Sequence, residues 1–182
     1  MKILAIALFG LLLTATAPAH SAYDDPGTFA VEEAAGKPIK VFTTDQLRTV
    51  FENVTIDTKT PWSTTDDEKI QWRGPLLLDV LQSGGLDKNS SVQIMAYDDF
   101  LSEIKLDEIR SYNPIIAIER TCTATDITNG LCKEGQDFRP IDLSERGPHF
   151  IVWPLDELPS SYVPARNSIW VFFPIAARPT PQ

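Results

Sequence analysis

The chain has few of the side chains that carry most metal and nucleophilic chemistry. Its 182 residues include only two cysteines and two histidines. Cys122 and Cys132 do not form a Cys-x-x-Cys pair, and one nearby histidine, His149, could not complete a tetrahedral zinc site with them. A Gly-x-Ser-x-Gly segment is also absent, and with it the usual signature of a hydrolase nucleophile. The sequence therefore offers no ready-made metal or nucleophile motif.

Long hydrophobic runs are also absent. Crossing a bilayer takes about 20 apolar residues, whereas the longest run here, Ile3–Leu13, follows Lys2 and leads into small residues up to Ala22. This layout predicts a secretory signal peptide, residues 1–21, cleaved after Ser21; a retained membrane anchor is the alternative. The segment has no Arg-Arg pair, so it resembles a general export signal and not a twin-arginine signal. We expect a secreted or periplasmic protein with no membrane span after cleavage.

Positive charge is scarce. Lys and Arg number 16 against 25 Asp and Glu, which gives a net charge of -9. Such a surface repels nucleic acid and anionic lipid, so neither is an expected partner. A hydrophobic share of 43% excludes disorder for the body of the chain. Without repeats, we predict one domain over residues 22–176, followed by a proline-rich flexible tail, 177–182.

Short strands and short helices alternate along the chain. Val92, Ile94 and Ala96 point to one face of a predicted strand, Ser91–Tyr97, which turns at Asp98-Asp99 into a partner strand, Phe100–Ile104. A helix is predicted from Arg73-Gly74-Pro75 to Gly84-Gly85, with Pro tolerated in its first turn. The other predicted elements are strands Thr28–Val31, Ile39–Phe42, Val54–Asp57, Pro114–Glu119, Phe150–Trp153 and Ile169–Phe173, and short helices after Thr43 and at Leu106–Arg110. The pattern predicts an α+β fold, a single mixed domain with more strand than helix.

The two cysteines flank the polar segment Thr123–Leu131. In an oxidising compartment, two thiols this close in sequence most simply form a disulfide. Closing a loop of about eleven residues would stabilise the fold by roughly 2–3 kcal/mol. The alternatives are a metal pair, a redox-active couple or free thiols.

Four segments, in order, resemble the molybdopterin-binding domain of sulfite-oxidase-type oxidoreductases. Trp72-Arg73-Gly74-Pro75-Leu76-Leu77-Leu78-Asp79-Val80-Leu81, followed by Gly84-Gly85, is similar to that domain's aromatic-x-Gly segment and Leu-rich helix. Val92–Tyr97 with Asp98-Asp99-Phe100 resembles its strand before an Asp-Gly-Tyr turn, and Ile115–Ile118 resembles its Leu-Leu-Ala strand. Gly147-Pro148 with Val152-Trp153-Pro154 resembles its closing strand. The resemblance implies that fold over close to half of the chain.

The departures from the family pattern concern function. The family holds molybdenum with a cysteine upstream of the Trp-x-Gly segment, and no cysteine precedes Trp72. Asp99 replaces the glycine of the turn, so an aspartate must carry a backbone angle that glycine adopts freely. The resemblance therefore implies an exported domain without a metal cofactor, which binds an unknown small ligand or a periplasmic partner protein. The alternative is a periplasmic molybdopterin-dependent oxidoreductase with an unusual metal ligand, for which Cys122 is the candidate.

A cofactor phosphate or another anion would need arginine side chains or free backbone N–H groups. The candidate cleft residues, taken from the resemblance, are Trp72, Arg73, Gly74, Arg120, Arg146 and His149. For the arginines the alternative is pairing with surface carboxylates. For His149 it is a structural role, or a serine triad with Ser144 or Ser168. The four tryptophans are most simply core residues, although Trp72 could also wall a pocket.

Overall fold

The computed structural model of the chain describes residues 23–63 and 69–181. The predicted signal peptide, 1–21, lies outside the described residues. Within them, none of the helices has the length and apolar character that crossing a membrane requires. The fold is mixed α+β and rich in strand, as the sequence pattern predicts.

The described part of the chain forms strands, four short helices and several single 3-10 turns. The strands are β1 Thr28–Ala34, β2 Lys37–Thr43, β3 Asn53–Thr58, β4 Ile70–Pro75, β5 Ser91–Ala96, β6 Leu101–Lys105, β7 Ile115–Ala117, β8 Glu119–Thr121, β9 Phe138–Pro140, β10 Phe150–Val152 and β11 Pro174–Pro179. The helices are α1 Thr44–Val50, α2 Leu77–Ser83, α3 Leu106–Tyr112 and α4 Ala124–Thr128. The 3-10 turns are Leu86–Lys88, Leu143–Glu145, Leu155–Glu157, Ser160–Tyr162 and Asn167–Ile169.

The strands form three sheets around a large apolar core, and a small second cluster consists of Ala30, Met95, Ile175 and Ala176. The largest sheet has five strands in the order β2-β1-β11-β5-β6, and only its β1–β11 pair is parallel. A four-stranded antiparallel sheet has the order β3-β4-β8-β9, and β10 pairs with β7. Two single bridges connect the β7–β10 pair to neighbouring segments, one from Ile115 to Leu76 and one from Phe150 to Phe172. Phe150 and Trp153 are fully buried where these elements meet.

Several local predictions are confirmed. Thr43 caps α1 by a reciprocal box, in which its hydroxyl accepts from the Gln46 N–H and the Gln46 side chain accepts from the Thr43 N–H. Helix α2 ends at Gly84. Strands β5 and β6 pair antiparallel across the predicted turn, where Asp99 carries a positive φ of 65°. The aspartate therefore takes the backbone angle that the resemblance assigns to glycine.

The predicted helix start at Arg73 is wrong. Residues Arg73–Pro75 end strand β4, and α2 begins only at Leu77. The reason is tertiary pairing: β4 lies between β3 and β8, and the Ile118 N–H donates to the Arg73 carbonyl. These ladder bonds outweigh the preference of a Gly-Pro pair for a helix start.

The last part of the chain also differs from the prediction. Ile169–Phe173 is not a strand, since a 3-10 turn occupies its start and Phe172 makes a single bridge. The flexible tail, 177–182, is wrong for residues 177–179, because β11 continues to Pro179 and pairs with β5 there. Strand β1 pairs with β11 only at Ala176 and Ala177, so Pro179, which has no N–H, has a strand neighbour on one side only.

Candidate functional site

A cleft of about 520 Å³ opens beside strand β4, and we call it the cationic cleft. Its walls carry three cations, Lys69, Arg120 and Arg146, against one carboxylate, Glu145. Ile70 and the residues with hydroxyls and indole rings complete the lining; the latter are Thr58, Thr60, Ser63, Thr123, Trp62 and Trp72. Three of the six residues predicted from the sequence therefore meet here: Trp72, Arg120 and Arg146.

Arg120 belongs to a buried ionic network at the base of the cleft. Its guanidinium donates to both oxygens of Asp126, at 2.7 and 2.9 Å, and to Glu145 at 2.7 Å. Arg139 donates to the same two carboxylates. Burial would raise the pKa of Asp126, but the hydrogen bonds from the two arginines outweigh it and hold that pKa well below its ordinary range. The charges of the two arginines, Arg120 and Arg139, balance those of the two carboxylates. Arg120 is therefore paired with carboxylates, which was the alternative to a role in ligand binding.

The disulfide between Cys122 and Cys132 is confirmed. It closes a loop that contains α4, and that helix carries Asp126 into the network below the cleft. Thr123 caps α4, and its hydroxyl and N–H both donate to Asp126. Because the two sulfurs are bonded to each other, neither is a thiolate that could bind a metal. The crosslink therefore stabilises one wall of the cleft.

Arg73 and Gly74 do not line the cleft. Neighbouring residues on a strand point to opposite faces, so Arg73 lies on the other side of β4 from Trp72. Its Nε donates to Glu119 at 2.7 Å, and its guanidinium lies 4.0 Å from the centroid of the Phe138 ring. Gly74 is needed for packing, because a Cβ there would overlap the Ile116 carbonyl. The predicted phosphate cradle at these residues is wrong.

His149 lies in the core, away from the cleft, and is fully buried. Its Nε2 is 2.9 Å from the Thr44 hydroxyl, and its Nδ1 is 3.4 Å from the Pro174 carbonyl. A neutral ring protonated on Nδ1 satisfies both contacts, since that nitrogen donates to Pro174 and Nε2 accepts from Thr44. Burial lowers the pKa of His149 to about 4. The role is structural, and the hydrogen-bond partners are not those of a serine triad.

Arg146 is the cleft cation without a carboxylate partner. Its guanidinium carbon lies 4.7 Å from the centroid of the Phe172 ring and 5.2 Å from that of Trp62. Within residues 23–63 and 69–181 its side chain makes no hydrogen bond or ion pair. By contrast, Lys69 forms an exposed ion pair with Asp156 at 2.8 Å. The arginine is thus held by ring faces and keeps its hydrogen-bond donors for another group.

Trp62 and Lys69 are cleft residues that the sequence reasoning missed. Trp62 was expected in the core, yet it is 40% exposed and packs against Phe172 with the rings tilted at 49° and their centroids 5.0 Å apart. Trp72 was expected in the core, with a pocket wall as the alternative; it is buried in the core cluster and also lines the cleft, and its indole Nε1 has no hydrogen-bond partner among the described residues. One sequence feature could have indicated the exposure of Trp62: it lies between Pro61 and Ser63, and such residues favour a turn at the surface.

The donor set of the cleft suits an anion but not a molybdenum centre. The hydroxyls and guanidinium groups bind oxyanions by hydrogen bonds, whereas the family's metal needs a soft thiolate. No group of three or more His, Cys, Asp and Glu side chains in the described part of the chain is arranged to hold a metal ion. We therefore assign no chemical step to a molybdenum cofactor.

Comparison with known proteins does not identify a family. No protein-family model matches the chain, and no curated protein is significantly similar to it. The likeness to the molybdopterin-binding domain is a resemblance of short motifs, and the structure shows a strand-rich α+β domain with a cationic cleft.

Proposed function

We propose that this protein is an exported binding module and not a molybdenum enzyme, and that its cationic cleft takes a small anionic ligand. The observation that carries the proposal is Arg146, whose guanidinium lies in the cleft wall without a carboxylate partner among the described residues. In a chain with a net charge of -9, such a cation attracts anions to one place on a surface that otherwise repels them.

The surroundings of Arg146 support a small ligand. A volume of about 520 Å³ lies in the range typical of small-molecule sites. Thr60 and Ser63 bring hydroxyls that can donate to an oxyanion, whereas the Thr58 hydroxyl already donates to the Lys59 carbonyl at 3.0 Å.

The disulfide supports the same proposal over the alternative enzyme. Cys122 was the candidate for an unusual molybdenum ligand, and its sulfur is bonded to Cys132. On this proposal the chain has the scaffold of a cofactor-binding domain, and the side chains that line its cleft determine the charge and shape of the ligand that binds.

Titration calorimetry of the mature chain, residues 22–182, with inorganic phosphate and acetate tests this proposal. We expect binding of at least one anion, and a loss of about tenfold in affinity in Arg146→Gln, because one charge-assisted hydrogen-bond partner is worth about 1.5 kcal/mol or more. Arg110→Gln is the matched control, since Arg110 is an exposed arginine that pairs with Asp107 outside the cleft. Equal affinities in both variants, or no binding of either anion to the wild type, would refute the proposal.

A further inference from the structure

A second cavity lies next to the cationic cleft. It has a volume of about 390 Å³, and we call it the aromatic cavity because four rings line it: Trp62, Phe100, Trp170 and Phe172. Trp62 and Phe100 are 40% and 43% exposed, which is unusual for side chains of this size. Aromatic side chains presented to a concave surface are typical of small-molecule sites.

The two cavities share a wall. Trp62 lines both of them, and Phe172, which lines the aromatic cavity, packs against Trp62. The Arg146 guanidinium rests over both rings, so its positive charge sits at the boundary between the cavities. A ligand anchored at Arg146 by an anionic group can therefore extend directly to the aromatic rings.

Backbone strain is concentrated around the same place. Among the described residues, four non-glycine residues have positive φ angles: Asp99, Asn113, Arg146 and Phe173. Asp99 lies between two residues that line the aromatic cavity, Arg146 lines the cleft, and Phe173 follows Phe172. Such conformations cost about 1–3 kcal/mol each and occur preferentially at binding and catalytic sites. Arg146 thus carries a strained conformation in the cleft wall, and Asp99 and Phe173 are next in sequence to residues that line the aromatic cavity.

Polar residues also line the aromatic cavity, among them Asn167 and Asp98. Asn167 lines the cavity, but its Oδ1 is buried away from the surface and has no hydrogen-bond partner among the described residues. Asp98 also lines the cavity, but its carboxylate already accepts from the Phe100 N–H at 3.2 Å within the exposed turn. Asp98 keeps its negative charge and would repel a second anion, so the anionic group of a ligand belongs at Arg146 and its uncharged part in the aromatic cavity.

We infer that the cationic cleft and the aromatic cavity form one two-part site for an aromatic carboxylate. The carboxylate binds Arg146 at the boundary, and the ring packs among Trp62, Phe100, Trp170 and Phe172. This inference rests on the proposed function and adds to it the chemical class of the ligand.

A ligand series measured by NMR tests the inference on the mature chain, residues 22–182. The probes are acetate, phenylacetate and the neutral benzyl alcohol, and the readout is the indole N–H signals of the tryptophans. Phenylacetate should bind at least tenfold more tightly than acetate and shift the signals of Trp62 and Trp170. The Trp153 signal is an internal control, because its N–H donates to the Ile169 carbonyl inside the core.

Two variants separate the parts of the site. Phe100→Ala should remove the advantage of phenylacetate over acetate without changing acetate binding, while Arg146→Gln should weaken both carboxylates. Val50→Ala, which shortens an apolar residue that is 61% exposed and lines neither cavity, should change neither affinity.

Each further result counts against a stated claim. Equal affinities for acetate and phenylacetate would overturn the two-part site and leave the anion-binding proposal standing. Binding of benzyl alcohol as tightly as phenylacetate would show that the rings act without Arg146 and would also overturn it. Failure of both acetate and phenylacetate to bind would refute this inference. The titration with inorganic phosphate would then decide whether the cleft binds any anion.

Discussion

Acidification should destabilise this protein through His149, at pH values well above those that titrate its buried carboxylates. Burial lowers the pKa of His149 from 6.5 to about 4, and a hydrogen bond to the Pro174 carbonyl offsets only part of that effect. The unfolded chain takes up a proton as the pH falls through about 6.5, whereas the folded chain does so only near 4. Stability is therefore complete above pH 6.5 and is lost as the pH falls toward 4.

The size of the effect follows from the two pKa values. At about 1.36 kcal/mol per pH unit, the free energy of unfolding should be about 2.5 kcal/mol lower at pH 4.5 than at pH 7.5. Urea unfolding at the two pH values measures this difference. A chain that begins at residue 22 contains one histidine, His149, so a single imidazole NMR titration of that chain gives its pKa directly.

His149→Gln is the matched variant. A glutamine amide can donate to Pro174 and accept from Thr44 but does not titrate, so the loss of stability between pH 7.5 and 4.5 should largely vanish. An imidazole pKa near 6.5, or the same loss in the variant, would refute the reasoning. A pKa near 6.5 would mean that water reaches the ring, and an equal loss in the variant would mean that other groups carry the sensitivity to acid.

Two further predictions concern the wall of the cleft. Asp126→Asn should lower the free energy of unfolding by about 3–5 kcal/mol, because it leaves two buried arginines with one carboxylate fewer. Asp107→Asn, at an almost fully exposed ion pair, should change it by less than about 1 kcal/mol in the same urea experiment. Replacing both Cys122 and Cys132 with serine should cost about 3 kcal/mol, as expected for a crosslinked loop of this length.

The outcomes that contradict these two predictions are specific. Similar losses in Asp126→Asn and Asp107→Asn would mean that the buried network contributes no more than a surface pair. An unchanged unfolding free energy in the double serine variant, measured without reductant, would mean that the loop is held by its capping bonds alone.

Local sequence signals predicted the parts of the fold that depend on neighbouring residues. The alternation of Val92, Ile94 and Ala96 predicted strand β5, and the Thr43 capping box predicted α1. The strand β11 was missed because Pro174 and Pro179 are typical of irregular structure, and only pairing with β1 and β5 makes that segment a strand.

The candidate site was predicted only in part, for a similar reason. Arg120 and Arg146 were identified as cations near the cleft, but sequence alone does not show that one is paired and the other is not. Arg73 was misplaced because the side of β4 that faces the cleft depends on the β3–β4 register. Trp62 was missed because exposure of a tryptophan is decided by tertiary packing.

The molybdenum and pterin content of the mature protein is the most direct test of the central claim, that the cleft belongs to a binding module and not to a molybdenum enzyme. The protein should be purified without reductant from a periplasm whose host makes the cofactor, and examined by metal analysis and native mass spectrometry. We expect a folded chain that carries neither molybdenum nor pterin in stoichiometric amount. About one molybdenum and one pterin per chain would contradict it.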